Sequence, residues 1–278
     1  MTIDGLSEER GTMVRSGIGG RPKRREDQRF LTGQGRYLDD LAFDGVAHAV
    51  VLRSPHAHAE IRATDIAAAK AMPRVLAVLT AEDVRADGLN PLLPYVDANT
   101  VTGEPFAFTP QPLLAEGKVR YVGEPVALIV AESRNAAFDA AERIAVDYAP
   151  LPAVTTGAAA RMPTAPLLSS DAPGNLCFEW HAGDHDAVAH AFAAAAHVVS
   201  LGIDSHRIVT NPMEPRGVVG EYDPASGRYT AYVSAQSLHA TRDHAARALG
   251  VNLNRCALSR RMSAAALAPR ISSTPSRC

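Results

Sequence analysis

Five consecutive apolar residues, Val126, Ala127, Leu128, Ile129 and Val130, constrain this chain more than any other feature. A run this short is a buried strand or a piece of a core helix, and periodicity alone does not separate the two. The residues after the run narrow the choice of fold. Ser133 or Asn135 can cap a helix, in which Phe138, Ala141 and Ala145 recur at i, i+3 and i+7 on one face. Ile144, Val146 and Tyr148 then alternate as a second strand, which Pro150 and Pro152 end. Strand, helix, strand in this order predicts a mixed α+β or α/β domain.

Composition excludes several function classes. With 278 residues the chain holds one or two domains, and 46% apolar with 21% charged residues is ordinary for a globular protein. A net charge of −2 suggests no general affinity for polyanions. Aromatics are 5% and no basic stripe carries them, which argues against nucleic acid as a partner. Cys177, Cys256 and Cys278 lie far apart without metal-ligand spacing, so they read as incidental reduced thiols, with no iron–sulfur or zinc site. No apolar run reaches the ~18 residues of a membrane span. Arg24-Arg25 precedes Glu-Asp-Gln rather than an apolar run, so it is not an export signal. The chain is expected to be cytoplasmic, with neither a membrane nor nucleic acid as partner.

Residues 1–29 are polar and Gly-rich and read as a flexible segment; Gly17-Ile18-Gly19-Gly20 lacks the flanking strand and helix of a phosphate loop. Gly33 and Gly35 mark a turn, and Asp44-Gly45 another, before a strand over 46–53 that Ser54-Pro55 breaks. His48, His56 and His58 are metal-ligand types. The segment supplies no third converging ligand or supporting shell, so hydrogen-bonding or surface histidines are the expectation. Thr64-Asp65 can cap a short helix over 66–72, and 75–79 is a strand. Thr80 through Asp83 resembles a capping box with Asp in the Glu position. Residues 85–118 look irregular, and 153–175, rich in Ala, Gly, Pro and Ser, read as a linker.

A second unit begins near Asn175. Asp184 or Asp186 can cap a helix in which Val188, Phe192 and Ala195 share a face. Val199, Leu201 and Ile203 alternate as a strand. Asp223 to Gly227 connects a hairpin of 218–222 with 229–233, and Ala245, Ala248 and Leu249 line a helix that Gly250 ends. Glu214 and Arg216 are an acid–base pair by residue type, or else an ion pair buried at a strand end or hinge. Met213 reads as core. Gln236 has the donor and acceptor to meet a cofactor edge.

Two stretches resemble one family at residue level. "VRYVGEPVALIVAESRNAAFDAAERIAVDYAPLP" at 119–152 looks like the segment that closes the hammerhead domain of molybdenum hydroxylase large subunits, the relatives of xanthine dehydrogenase, aldehyde oxidase and aerobic carbon monoxide dehydrogenase. "RREDQRFLTGQGRYLDDLAFDGVAHAVVLRSPHAHAEI" resembles the opening of the same domain. "NPMEPRG" and the hairpin ending "YTAYVSAQ" resemble the first part of the molybdenum-cofactor domain, with Ala235 where the family usually has Thr. The resemblance implies an α+β chain. It would run as a flexible segment (1–29), an α/β hammerhead domain (30–152), a linker (153–175), a partial molybdenum-cofactor-binding domain (176–251) and a tail outside the family pattern (252–278).

In that family the segment after Gly250-Val251 leads into a Pro-Asp-Val-Gly-Gly-Gly-Phe-Gly loop, whose backbone N–H groups can approach the cofactor. It is absent here. Codons legal for Arg255 through Pro275, read from the third base of the first, spell Leu-Arg-Phe-Val-Ala-Pro-Asp-Val-Gly-Gly-Gly-Phe-Gly. The expectation is a change of reading frame between about Asn252 and Arg255, real or from sequencing, that truncates the family sequence.

The resemblance implies an oxidoreductase that hydroxylates or oxidises its substrate with oxygen from water. Its cofactor would be molybdenum-molybdopterin, in the cytosine dinucleotide form for the full-length family, and its partners an iron–sulfur small subunit and an FAD-binding medium subunit. Glu214 and Gln236 are the candidate cofactor-binding residues; no catalytic residue and no metal ligand is assigned in this chain. The 278-residue chain is expected to bind no cofactor and to be inactive alone. The alternative is a non-catalytic module for subunit docking or assembly. The substrate stays unnamed, because the residues lining its site would lie downstream.

Overall fold

Three small sheets with short helices make up the computed structural model, which describes residues 27–93, 107, 109–179, 182–203, 214–235 and 237–259. The first elements are helix α1 (Asp27–Leu31), strands β1 (His48–Arg53) and β2 (Ala59–Asp65), helix α2 (Ala67–Lys70), strand β3 (Val75–Leu79) and helix α3 (Ala81–Ala86). Then come β4 (Lys118–Val119), β5 (Pro125–Ala131), α4 (Arg134–Ala141), β6 (Ala145–Pro150) and α5 (Gly157–Ala160). The last are α6 (His185–Ala194), β7 (Val218–Asp223), β8 (Arg228–Val233), α7 (Leu238–Leu249) and β9 (Cys256–Ser259).

The apolar run is the central strand of the first sheet, whose order is β1-β5-β3 with both pairings antiparallel. Ile129, Val78 and Ala131 form one core with Ala69 of α2 and with Ala137 and Ala140 of α4. The second sheet, β4-β2-β6, carries another core, in which Ala59, Ala115 and Val119 meet Val126. β5 therefore contributes side chains to both cores. That is why its sequence is a continuous apolar run rather than an alternation.

The structure sharpens several sequence expectations. Ser133 is the cap of α4, accepting from the Ala136 N–H at 3.2 Å. The buried face of α4 is Ala137 and Ala140, with Ala141 packed beside them; Phe138 and Ala145 do not join it. Phe138 is about half exposed under the Arg134 guanidinium, and Ala145 already belongs to β6. Two alanines let the helix lie close on the sheet, which a phenylalanine at the contact would prevent. β2 has no sequence signature, because Ala-Glu-Ile-Arg-Ala-Thr-Asp has one large apolar residue and no clean alternation. The Asp83 capping box is present at α3. α1 covers the last residues of the segment expected to be flexible; the rest of that segment, 1–26, lies outside the described residues.

The segment read as a linker is ordered by specific bonds. Asn175 donates through Nδ2 to the Ala160 and Pro166 carbonyls and accepts from the Leu168 N–H, while Arg120 Nε donates to the Leu168 carbonyl. Beyond it, Asp184 caps α6. The strand expected over Val199, Leu201 and Ile203 is not formed. These residues are 91%, 81% and 81% exposed, and no strand among the described residues pairs with them. An alternating pattern gives a strand only when a neighbouring strand supplies the ladder.

The third sheet has the order β7-β8-β9, with β7–β8 antiparallel and β8–β9 parallel. Residues 252–278 carry no periodic apolar face, which predicts no stable structure of their own; the third sheet corrects this expectation for Leu253–Arg255, a 3-10 turn, and for Cys256–Ser259, which forms β9. Buried Cys256 and its Ala257-Leu258 neighbours suffice for a short strand against β8. Arg255 locks it in place, donating from Nε to the Gly227 carbonyl at 2.9 Å. Gly227 has φ +63°, and a Cβ there would collide with the Arg255 guanidinium, so glycine is required twice over.

Ile129→Ala should lower unfolding stability by about 2–5 kcal/mol in denaturant titrations, since it leaves a cavity where two strands, α2 and α4 converge. Deleting residues 252–278 should lower the melting temperature by removing β9; an unchanged value would mean β9 adds nothing. Asp83 is held below its ordinary range, first by the Thr80 N–H bond at 2.7 Å. Its stabilisation is present above the unfolded value near 3.8 and is lost as pH falls through the lower folded value. Asp83→Asn should therefore flatten the acid limb of the stability profile, measured by thermal melts below about pH 5.

Candidate functional site

The two residues singled out for a cofactor lie in sequence on either side of the β7–β8 hairpin. Glu214 stands four residues before β7 and is 6% exposed. Its Oε1 accepts the Leu38 N–H at 3.0 Å, at the start of the 3-10 turn Leu38–Asp40. Three residues on, Gly217 packs against the same leucine: a Cβ on it would meet Leu38 Cδ1 at 3.2 Å. Phe43 stacks on Tyr232 of β8 with ring centroids 4.9 Å apart. Glu214 thus sits in the contact between the first and second units. Arg216 is exposed, so Glu214 is buried without its suggested partner being buried beside it.

Gln236 lies outside the described residues, as does Met213. The chain beyond it is clear. Position 236 joins the end of β8 to α7, whose cap is Ser237, accepting from the Ala240 N–H at 3.3 Å. The structure therefore does not bring Glu214 and Gln236 into one described constellation.

The histidines separate by environment. His48 and His56 remain accessible, and His56 lies against the Tyr148 ring at 4.8 Å. His58 is buried, its Nδ1 2.7 Å from the Pro152 carbonyl oxygen, which makes Nδ1 the donor. Glu124 is buried at the adjoining turn, where its Oε2 accepts the Arg120 N–H at 2.5 Å. Ser54 and Glu124 tie the two turns together, Ser54 N–H donating to the Glu124 carbonyl and Gly123 N–H to the Ser54 carbonyl. These polar groups join β1 to β5 at the point where the chain passes between sheets. Cys177 is half-buried and Cys256 buried; burial pushes the Cys256 thiol up, so it stays protonated and a poor nucleophile.

Sequence reasoning misses Leu38 and Asn90, whose contacts to the second unit run largely through backbone N–H groups and carbonyls and so have no side-chain signature. A phosphorylated pterin cofactor needs converging donors. The described residues do not fit it: Glu214 offers a carboxylate already engaged with Leu38, which repels phosphate, and the glycine loop is not in the sequence. Among the described residues no helix is long and apolar enough to cross a membrane.

Comparison with known proteins supplies the family. Residues 32–152 match the a/b hammerhead domain of aldehyde oxidase and xanthine dehydrogenase, and residues 168–261 match a molybdopterin cofactor-binding domain. The chain is 38% identical over 227 residues to the nicotine 6-hydroxylase large subunit of Paenarthrobacter nicotinovorans, covering 82% of this chain and 27% of that protein. It is 37% identical over 253 residues to the carbon monoxide dehydrogenase large chain of Afipia carboxidovorans, covering 87% and 30%. Among solved structures, quinoline 2-oxidoreductase from Pseudomonas putida 86 superposes with a TM-score of 0.75 at 35% identity, covering 86% of this chain and 29% of that one. The chain thus spans under a third of the length of these relatives. Its two matched domains stand in order and meet at the Glu214–Leu38 contact: this chain belongs to the family of molybdopterin-binding large subunits of the xanthine dehydrogenase and carbon monoxide dehydrogenase type, of which it carries the hammerhead domain and the start of the cofactor-binding domain.

Proposed function

We propose that the chain is the leading part of the large subunit of a molybdenum-dependent hydroxylase or dehydrogenase, and that alone it neither holds the cofactor nor turns over. The observation that carries this reading is the pair of ordered domain matches over less than a third of the relatives' length. In the complete subunit the cofactor, in its cytosine dinucleotide form, would supply the redox chemistry, and the protein would supply positioning and a base. An iron–sulfur subunit and an FAD subunit would carry the electrons away in the cytoplasm. Gln236, ahead of α7, would face the cofactor; Glu214 would support the site through its contact with Leu38.

A second reading, a docking or assembly module, draws on one observation. Phe192, Val199, Leu201 and Ile203 are each more than 60% exposed, more apolar surface than an isolated domain ordinarily leaves in water.

The two readings part in one experiment. The 278-residue chain and a version whose reading frame is restored after Asn252 are expressed in a host that makes the cofactor. Molybdenum content and dye-linked oxidation of aldehydes, N-heterocycles and carbon monoxide are then measured. The 278-residue chain should contain no molybdenum and show no activity, and the restored, extended gene should gain both. Near-stoichiometric molybdenum in the 278-residue chain would overturn the proposal. Stable capture of an iron–sulfur or FAD subunit by that chain, with no open frame beyond the junction, would favour the docking module.

A further inference from the structure

Helix α7 ends in a pattern that leaves carbonyl groups for an outside partner. Gly250, at φ +64°, bends the chain so that its N–H returns to the Arg247 carbonyl and the Val251 N–H to the Ala246 carbonyl. These two bonds are the usual glycine-terminated closure of a helix. They do not reach the Ala248 carbonyl, one of the last four acceptors that a helix leaves unpaired. Asn90, in the first unit, reaches it. Its backbone N–H donates to the Ala248 carbonyl at 2.8 Å, and its Nδ2 donates to the Arg247 carbonyl at 2.9 Å. A residue of the hammerhead domain thus completes the C-terminal cap of a helix in the cofactor-binding domain.

A second contact of the same kind lies ahead of β7, where Glu214 accepts the Leu38 N–H. In both places one unit provides a polar side chain and the other a backbone group at the end of a helical turn. Each contact is a hydrogen bond, so each fixes direction as well as proximity. α7 has 12 residues and is about 18 Å long. Its capped end is held by Asn90, and its other end begins two residues after position 236.

We infer that Asn90 and Glu214 are positioning residues: together they clamp the hammerhead domain to the cofactor-binding domain and set the placement of α7.

The test uses the full chain and four variants, Asn90→Ala, Asn90→Asp, Glu214→Ala and Glu214→Gln. Two readouts report on the clamp: the rate of protease cleavage within 153–175, and hydrogen exchange at the Gly250 and Val251 amides. Exchange at the β5 amides reports on the core. Asn90→Ala should raise cleavage and terminal exchange several-fold while β5 stays protected, because Asn90 belongs to neither apolar core. Asn90→Asp should be worse than alanine, since its carboxylate cannot donate and faces the negative end of the helix dipole. A packing role would be indifferent to that near-isosteric change. Glu214→Gln should behave as wild type, its amide oxygen still accepting the Leu38 N–H, whereas Glu214→Ala should loosen the clamp. Wild-type cleavage and exchange in both alanine variants would overturn the clamp. So would Asn90→Asp matching wild type, or Glu214→Gln matching Glu214→Ala. None of these readouts depends on cofactor or turnover, so their failure is distinguishable from failure of the proposed function.

Discussion

β5 has no free edge. Its backbone is hydrogen-bonded on one side to β1 and on the other to β3, and its first residue accepts the Ala115 N–H from the segment leading into the second sheet. The first half of the molecule depends on this one strand being paired on both sides and buried on both faces. A buried amide left unpaired costs about as much as a typical point mutation, so the flanking strands are held in register by the centre. The buried Glu124 at its entrance extends the same logic to a charged group. Its Oε2 accepts the Arg120 N–H, and its own backbone is paired with Ser54 and Tyr121, so the turn that carries it is fixed from several sides.

The second half is organised differently. Its sheet is a hairpin followed by a helical crossover, and its exposed valines and isoleucine mark where packing stops. The two halves communicate through directional polar contacts together with the Phe43–Tyr232 ring contact. That arrangement suits domains that must keep a defined angle while each retains its own interior. It also accounts for Glu214. This carboxylate bridges two parts of the fold through the Leu38 N–H, and its burial is the burial of a joint.

Much of the first half is legible in the sequence because its signals are local. The apolar run, the Ser133 cap, the Thr80–Asp83 box and the strand at 75–79 each need only neighbouring residues. β2 is not legible, since it is built of alanine, threonine and charged residues and owes its existence to the edges of β4 and β6. The reverse holds at Val199, Leu201 and Ile203, where the pattern is that of a strand but no strand among the described residues pairs with it. β9 has four residues of modest apolar content, and they still complete a parallel ladder with β8. In the candidate site, Glu214 can be nominated by residue type, but Leu38 and Asn90 cannot, because a backbone N–H is present at almost every position.

The parallel pairing of β8 with β9 has a kinetic consequence. Everything in the third sheet lies within 218–259, so its contacts close short loops, whereas β1 must wait for β5 across the whole of β2, β3 and the irregular segment between. Loop closure over short separations is the faster process. The later-synthesised unit is thus topologically the quicker to form, and the earlier one the slower. During synthesis the two rates would tend to converge, so that both faces are ready when Asn90 meets the end of α7.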